Sequence, residues 1–254
     1  MTNPLTPGQL TGARALITGS SRGIGAKTAE YLADAGASVV INYRNKEARA
    51  QKLVESIEAS GGTAIAVGAD LTDPVGVARM MGSIKERWGG LDLLILNASG
   101  GMEADMGEDY AMKLNRDAQV GLLMSALPLM ERGARVVFVT SHQAHFIREV
   151  ETMPEYVPVA LSKRAGEDAL RGMNDQMKSL GIDFVVVSGD MIEGTVTATL
   201  LNRANPGVID QRKEQVGKLY NVDEFAAEVA LAAVEDIPDG HTRLVGDISS
   251  FQTS

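Results

Sequence analysis

The chain contains no cysteine. That absence excludes disulfides, a thiolate nucleophile and thiolate-based metal sites. It is compatible with a reducing cytoplasm, which is the expected location. No run of about 18 apolar residues is present, so no membrane-spanning helix is expected. The opening stretch MTNPLTPGQLTG lacks the basic n-region and apolar h-region of a secretion signal. Basic residues are too few to balance the acids: 24 Lys and Arg stand against 33 Asp and Glu, a formal net charge of -9. Nucleic acid and anionic membrane are therefore poor candidates for the main partner, although a local basic pocket is still allowed. Linkers, internal repeats and low-complexity tracts are also missing, so residues 1–254 read as one domain.

What is present is ordinary material for a large soluble core, with 44% apolar and 22% charged residues. Short apolar runs rich in Val, Ile and Leu occur at 14–18, 38–43, 63–68, 91–96, 134–140, 182–188 and 242–246. They are apolar throughout instead of alternating, which suits strands covered on both faces. Amphipathic helical patterns lie between them, near 24–35, 45–60, 74–88, 108–131, 158–180 and 223–235. This alternation predicts a doubly wound α/β domain with a parallel sheet. In EYLADAGASVV the helix runs out at Ala35, and Gly36 supplies a left-handed cap before the next strand. Asp73 before Pro74 reads as a helix cap. The one long irregular stretch is 142–157, and a loop of that length in a compact domain is usually functional.

TGSSRGIG (18–25) follows the first predicted strand and opens the first helix. Gly19 permits a tight turn, Gly23 a close backbone approach, and Gly25 close packing of helix on sheet. The helix N-terminus would then present free N–H groups to a pyrophosphate. A site that prefers NAD usually carries an acid at the end of the second strand, for the ribose 2′-hydroxyl. Here that region reads INYRNKE, with Asn42, Tyr43 and Arg44 in place of an acid. Arg22 and Arg44 instead suit a 2′-phosphate, so NADP(H) is the expected cofactor.

The Gly-x-x-x-Gly-x-Gly spacing, Asn97 and Ala98 in LNAS, Ser141 after the fifth strand and Lys163 together resemble the short-chain dehydrogenase/reductase family. The resemblance covers essentially the whole chain. It implies a Rossmann-type sheet of strand order 3-2-1-4-5-6-7 and nicotinamide-dependent oxidoreduction. It also implies a homo-oligomer, dimer or tetramer, with the helices at 108–131 and 158–180 at its interface. The implied cofactor contacts are Gly19, Ser21, Arg22, Gly23, Ile24 and Gly25; Tyr43 and Arg44; Asp70, on the adenine amine, and Leu71; Asn97, Ala98 and Ser99; Lys163; and Gly189, Ile192 and Thr195. In LNAS, Leu96 and Ser99 depart from the family pattern. Ser188 stands where relatives have Pro, and Thr195 lies about two residues late. The segment 196–220, within a region near 190–220, has the character of a substrate lid. Met102, Met106 and Met112 are candidates for an apolar pocket wall.

The catalytic pattern lacks its most familiar member. The resemblance assigns carbonyl polarisation to Ser141, ribose binding to Lys163 and a water-holding role to Asn115. It also expects a Tyr four residues before the Lys, and that position is Val159. The nearest phenol, Tyr156, is seven residues back, an axial offset of about 10 Å if both were helical. Pro158 favours a first helical turn, which would leave Tyr156 in the preceding loop, able to fold back. Three readings stand. Tyr156 is the proton donor, in a Tyr-x6-Lys spacing that resembles enoyl-thioester reductases of this family. His142 or His145 replaces the phenol. Or hydride transfer needs no protein acid, or the protein only binds NADP(H). The leading function is reduction of a ketone or 3-oxoacyl carbonyl, with enoyl-thioester reduction and a catalytically silent NADP(H)-binding protein as alternatives. The partner is a small carbonyl or acyl-thioester substrate, and no metal is expected.

Overall fold

The computed structural model describes residues 2–102 and 109–252; Met106 lies outside them. Seven parallel strands form one sheet: β1 (Arg14–Ile17), β2 (Ser38–Tyr43), β3 (Thr63–Gly68), β4 (Leu91–Leu96), β5 (Met130–Ser141), β6 (Asp183–Gly189) and β7 (Thr242–Val245). Their order is β3-β2-β1-β4-β5-β6-β7, and every pairing is parallel. This is the expected order.

The uniformly apolar strands have a direct cause. Side chains alternate between faces at a period of two. Ala15, Ile17, Val39, Ile41, Val137 and Val139 join one core, with α1 (Gly23–Asp34), α2 (Glu47–Ala59) and α11 (Val222–Ala232). Leu16, Val40, Leu94, Val136 and Phe138 join the other, with α3 (Pro74–Trp88), α5 (Ala118–Ala126), α7 (Val157–Gly172) and α8 (Asn174–Ser179). Both faces are roofed by helices, so neither parity of residue faces water. β1 pairs with β2 on one side and β4 on the other. The strand order reverses there, and a crevice opens at the carboxyl ends of the strands.

α3 begins as expected: the Asp73 side chain accepts from the Val75 N–H, with Pro74 in the first turn. Two long predicted helices are broken instead. The first contains α4 (Tyr110–Met112), a π-helical turn (Lys113–Asp117), α5 and a 3-10 turn (Leu127–Leu129) containing Pro128. The chain is already in β5 by Met130, because proline denies the helix a backbone donor. The second stops at Gly172 and restarts at Asn174, since glycine is a poor helix interior residue. The irregular stretch 142–157 contains one short helix, α6 (His142–His145), whose first turn is capped by Ser141.

Candidate active site

A single cavity of about 570 Å³ runs along the carboxyl edge of the sheet, from the turn after β1 to the segment after β6. At one end lie Gly19, Ser21, Arg22, Gly23 and Ile24. Gly19 (φ +61) and Gly23 (φ +58) are left-handed, a conformation only glycine adopts without strain. A Cβ on Gly19 would lie 3.1 Å from the Ala98 backbone, whereas one on Gly23 would meet nothing within 4 Å. The turn is therefore tight against the β4 loop at Gly19 and open at Gly23. Arg22 caps α1 without a side-chain hydrogen bond, and no acid sits in the first turn. The open glycine and the uncapped helix start form a cradle that fits a pyrophosphate.

Buried polar side chains set this turn. The Asn42 amide accepts from the Gly19 N–H at 3.2 Å and donates to the Ala69 carbonyl at 3.2 Å. Thr18 Oγ1 accepts from the N–H groups of Asn97 and Ala98, both at 2.9 Å. Asn97 Nδ2 donates to the Thr18 carbonyl and occupies the space a Cβ on Gly25 would need, at 2.6 Å. Gly25 is accordingly a packing glycine and does not line the cavity. Asp70 lines the cavity, and its Oδ1 accepts from the backbone and hydroxyl of Thr72. Leu71, Asn97, Ala98, Ser99 and Tyr43 also line the wall. Arg22 and Arg44 are both there, joined by Lys46 and Arg49, which sequence reasoning missed. Arg44 donates to the Tyr110 hydroxyl.

At the other end Ser141, Tyr156 and Lys163 line the same cavity. Tyr156 is the residue before α7, with Pro158 in the first turn, and its carbonyl accepts from the Ala160 N–H at 2.8 Å. The loop turns its ring inward, leaving it 5% exposed, and its hydroxyl lies 3.1 Å from Ser141 Oγ. Ser141 Oγ accepts from the Ala144 N–H at 3.3 Å, so its own proton is available for an acceptor in the cavity. Val159 is buried with Tyr156 in an apolar cluster. The position expected to hold the phenol is thus a packing position. Met102 packs against that cluster, and neither it nor Met112 lines the cavity.

Burial pushes the Tyr156 phenol up, opposed only by its hydrogen bond with Ser141. The phenol therefore stays protonated well past neutrality. Burial pushes the Lys163 ammonium down to about 8, partly countered by the Glu167 carboxylate one turn further along α7. If the cationic form of Lys163 is needed, kcat/KM for reduction falls as pH rises through about 8. The low-pH side is protonated and active; the high-pH side is neutral and weak. A pH profile checks this, and the residual activity of Lys163→Met should lack that limb.

Neither histidine stands in the cavity wall. His142 is fully buried. Its Nε2 lies 3.1 Å from the Val245 carbonyl and must donate to it, leaving Nδ1 to accept from the Ser188 hydroxyl at 2.8 Å. Burial pushes its pKa down to about 4. Ser188, at the family's Pro position, is here one member of a bridge joining α6, β6 and β7. His145 Nδ1 sits 2.8 Å from Glu167. Burial alone would raise the Glu167 carboxyl; His145 and Arg171 outweigh it and hold it below its ordinary value. The reading of either histidine as proton donor is corrected on this ground: neither lines the cavity, both nitrogens of His142 are engaged, and His145 Nδ1 is held by Glu167.

Asn115 and Gly189 also lie off the cavity wall. The Asn115 amide donates to the Gly100 carbonyl and to Ser162 Oγ, both at 2.9 Å. The Asn115 backbone carbonyl faces Gly166, where a Cβ would come within 2.0 Å. A Cβ on Gly189 would lie 2.3 Å from the Phe225 ring, so that glycine admits an aromatic side chain and not a ligand. Ile192 and Thr195 do line the wall, and Thr195 caps α9 (Val196–Ala204) by accepting from the Ala198 N–H. Gln143 and Asp190 line it too and were not anticipated. Their only sequence signal was proximity to two strand ends. Among the described residues no cluster of acids and histidines could hold a metal, and no helix is long and apolar enough to cross a membrane.

Residues 13–205 match the family described as short chain dehydrogenase. The chain belongs to the short-chain dehydrogenase/reductase family. It is an NAD(P)-dependent oxidoreductase. Short chain dehydrogenase/reductase AacuN of Aspergillus aculeatus is 34% identical over 203 residues, 78% of this chain and 74% of its own. The 1-cyclohexenylcarbonyl-CoA reductase of Streptomyces collinus is 34% identical over 186 residues, 70% of this chain and 64% of its own. Among solved structures, the landomycin C-6 ketoreductase LanV, with bound NADP and rabelomycin, superposes with a TM-score of 0.76. It is 30% identical, and the match covers 94% of this short-chain dehydrogenase/reductase and 97% of LanV.

Proposed function

We propose that this dehydrogenase/reductase uses NADPH to reduce the carbonyl of a ketone or 3-oxoacyl substrate, with Tyr156 as proton donor. The observation that carries it is the 3.1 Å approach of the Ser141 and Tyr156 hydroxyls on one cavity wall. Two hydroxyls at that separation can both donate to one carbonyl oxygen. When bound, the nicotinamide supplies the hydride to the carbonyl carbon. Ser141 polarises the carbonyl, and Tyr156 Oη gives its proton to the oxygen as the alkoxide develops. Ser141 then stabilises the phenolate that is left. Lys163, whose ammonium makes no hydrogen bond or ion pair among the described residues, binds the ribose hydroxyls and keeps positive charge at this end. A phenol held protonated by burial favours reduction over alcohol oxidation, which would require it as a base.

Arg22, Arg44, Lys46 and Arg49 around the adenosine end support the choice of NADPH, and LanV holds NADP. The helices α9 and α10 (Val208–Val216) form the lid. Met124 on α5 and Leu161 on α7, 49% and 51% exposed, support assembly with further copies of the chain.

Enoyl-thioester reduction is the second reading. It is favoured by the seven-residue spacing of Tyr156 and Lys163 and by the similarity to the cyclohexenylcarbonyl-CoA reductase. An NADPH-oxidation screen separates the two. The first reading expects turnover of ketones or 3-oxoacyl thioesters. Turnover confined to 2-enoyl thioesters selects the second. NADPH binding with turnover of neither class leaves a silent binding protein.

A further inference from the structure

Two residues after Ser141, Gln143 stands on the cavity wall in a fixed orientation. Its Nε2 donates to Asp190 Oδ1 at 2.8 Å, and the same oxygen accepts from the Met191 N–H at 2.7 Å. The second oxygen, Asp190 Oδ2, accepts from Arg212 Nε at 2.8 Å. Arg212 belongs to α10 and is itself held. Its Nη2 donates to Ser250 Oγ at 2.8 Å, and its guanidinium lies 4.9 Å from the centre of the Phe251 ring. Phe251 packs edge-on against the buried His142 ring at 5.3 Å. Gln143 is thus wired, through one carboxylate, to the lid helix and the C-terminal turn.

This wiring decides which way the amide faces. An ionised carboxylate only accepts hydrogen bonds, so Gln143 must turn its nitrogen to Asp190. The carbonyl Oε1 is left without a protein partner among the described residues. A hydrogen bond from the amide to a carboxylate also polarises it and strengthens Oε1 as an acceptor. Met191, Ala198 and Leu201, apolar and buried, line the same cavity. An oriented acceptor among apolar groups selects for a hydroxyl carried on an otherwise apolar body.

We propose that Gln143 is a specificity-determining residue that accepts a hydrogen bond from a ring hydroxyl of the substrate, so that the preferred substrates are hydroxylated cyclic ketones. The proposal rests on the carbonyl-reductase reading and narrows its substrate class. Asp190 and Arg212 are positioning residues for this contact.

The test compares NADPH-dependent reduction of 1-tetralone with that of its 5-, 6- and 7-hydroxy derivatives. The unmodified protein should favour at least one hydroxytetralone over 1-tetralone in kcat/KM by about tenfold or more. In Gln143→Met, similar in length but without the acceptor, that preference should shrink to within about twofold. Asp190→Asn, which no longer dictates the amide's orientation, should reduce the preference partway. NADPH affinity measured on each variant establishes that it is folded. A merely structural role for Gln143 would lower both substrates together and leave their ratio unchanged, which overturns the proposal. Absence of any preference in the unmodified protein overturns it as well while leaving carbonyl reduction intact. If no ketone or 3-oxoacyl thioester is turned over, the carbonyl reading fails and this proposal falls with it.

Discussion

Tyr156→Phe lowers kcat for carbonyl reduction by ~10²–10⁴-fold, the usual contribution of a positioned general acid. NADPH affinity should change little, because the substitution removes one oxygen from the substrate end of the cavity. The ring itself is 5% exposed and packed with Val159, Ala160 and Met191, so Phe preserves the packing. Stopped-flow hydride transfer alongside NADPH titration separates the two quantities. The variant carries a second diagnostic. Without the phenol, Ser141 loses its 3.1 Å neighbour but keeps its bond from the Ala144 N–H. Residual activity should then fall further in Tyr156→Phe/Ser141→Ala, by less than the sum of the single effects, since the two hydroxyls act on one oxygen. A Tyr156→Phe protein as fast as the parent would end the assignment. A substrate proton would then have to come from solvent, because both nearby histidines are engaged elsewhere.

The second large effect is on cofactor choice. Arg22→Ala and Arg44→Ala should each weaken NADPH binding by roughly 10- to 100-fold, the worth of a charge-assisted hydrogen bond to phosphate. NADH binding should move far less, since it has no 2′-phosphate. Both side chains are solvent-exposed on the rim, so the discrimination should also shrink as salt is raised. Lys46 and Arg49 on the same rim buffer the loss, and the double variant should retain a residual preference for NADPH. Fluorescence titration with both coenzymes at two ionic strengths reads all of this. Equal losses for NADPH and NADH would show that the two arginines support the loop and do not read the phosphate.

The seven strands were legible as runs of Val, Ile and Leu because a parallel sheet roofed on both sides lets neither parity of residue turn polar. The phosphate turn was legible because only glycine tolerates the φ values at positions 19 and 23. Helix continuity was harder to read. Pro128 and Gly172 lie inside otherwise periodic patterns, and the strength of a break depends on what packs beside it. Asn115 shows the same limit. The family resemblance gave Asn115 a water-holding role; that its amide is bound to Gly100 and Ser162, partners 15 and 47 residues away, only the structure shows. Gly189 reads as a ligand-facing glycine beside a strand end, and the ring that fills its space comes from Phe225 on α11, beyond two intervening helices.

The sequence by itself determined the sheet, the dinucleotide turn, the basic character of the ribose end and the absence of a phenol at position 159. These depend on local backbone geometry or on the period of side chains along one element. Tertiary structure decided which hydroxyl comes to lie beside Ser141. Tyr156 meets Ser141 because the 142–157 segment folds back over the strand ends. The same folding draws His142 into the core and sets Gln143 against Asp190. Those outcomes depend on which groups are buried together, and burial is a property of the assembled layers, which no single stretch of chain contains.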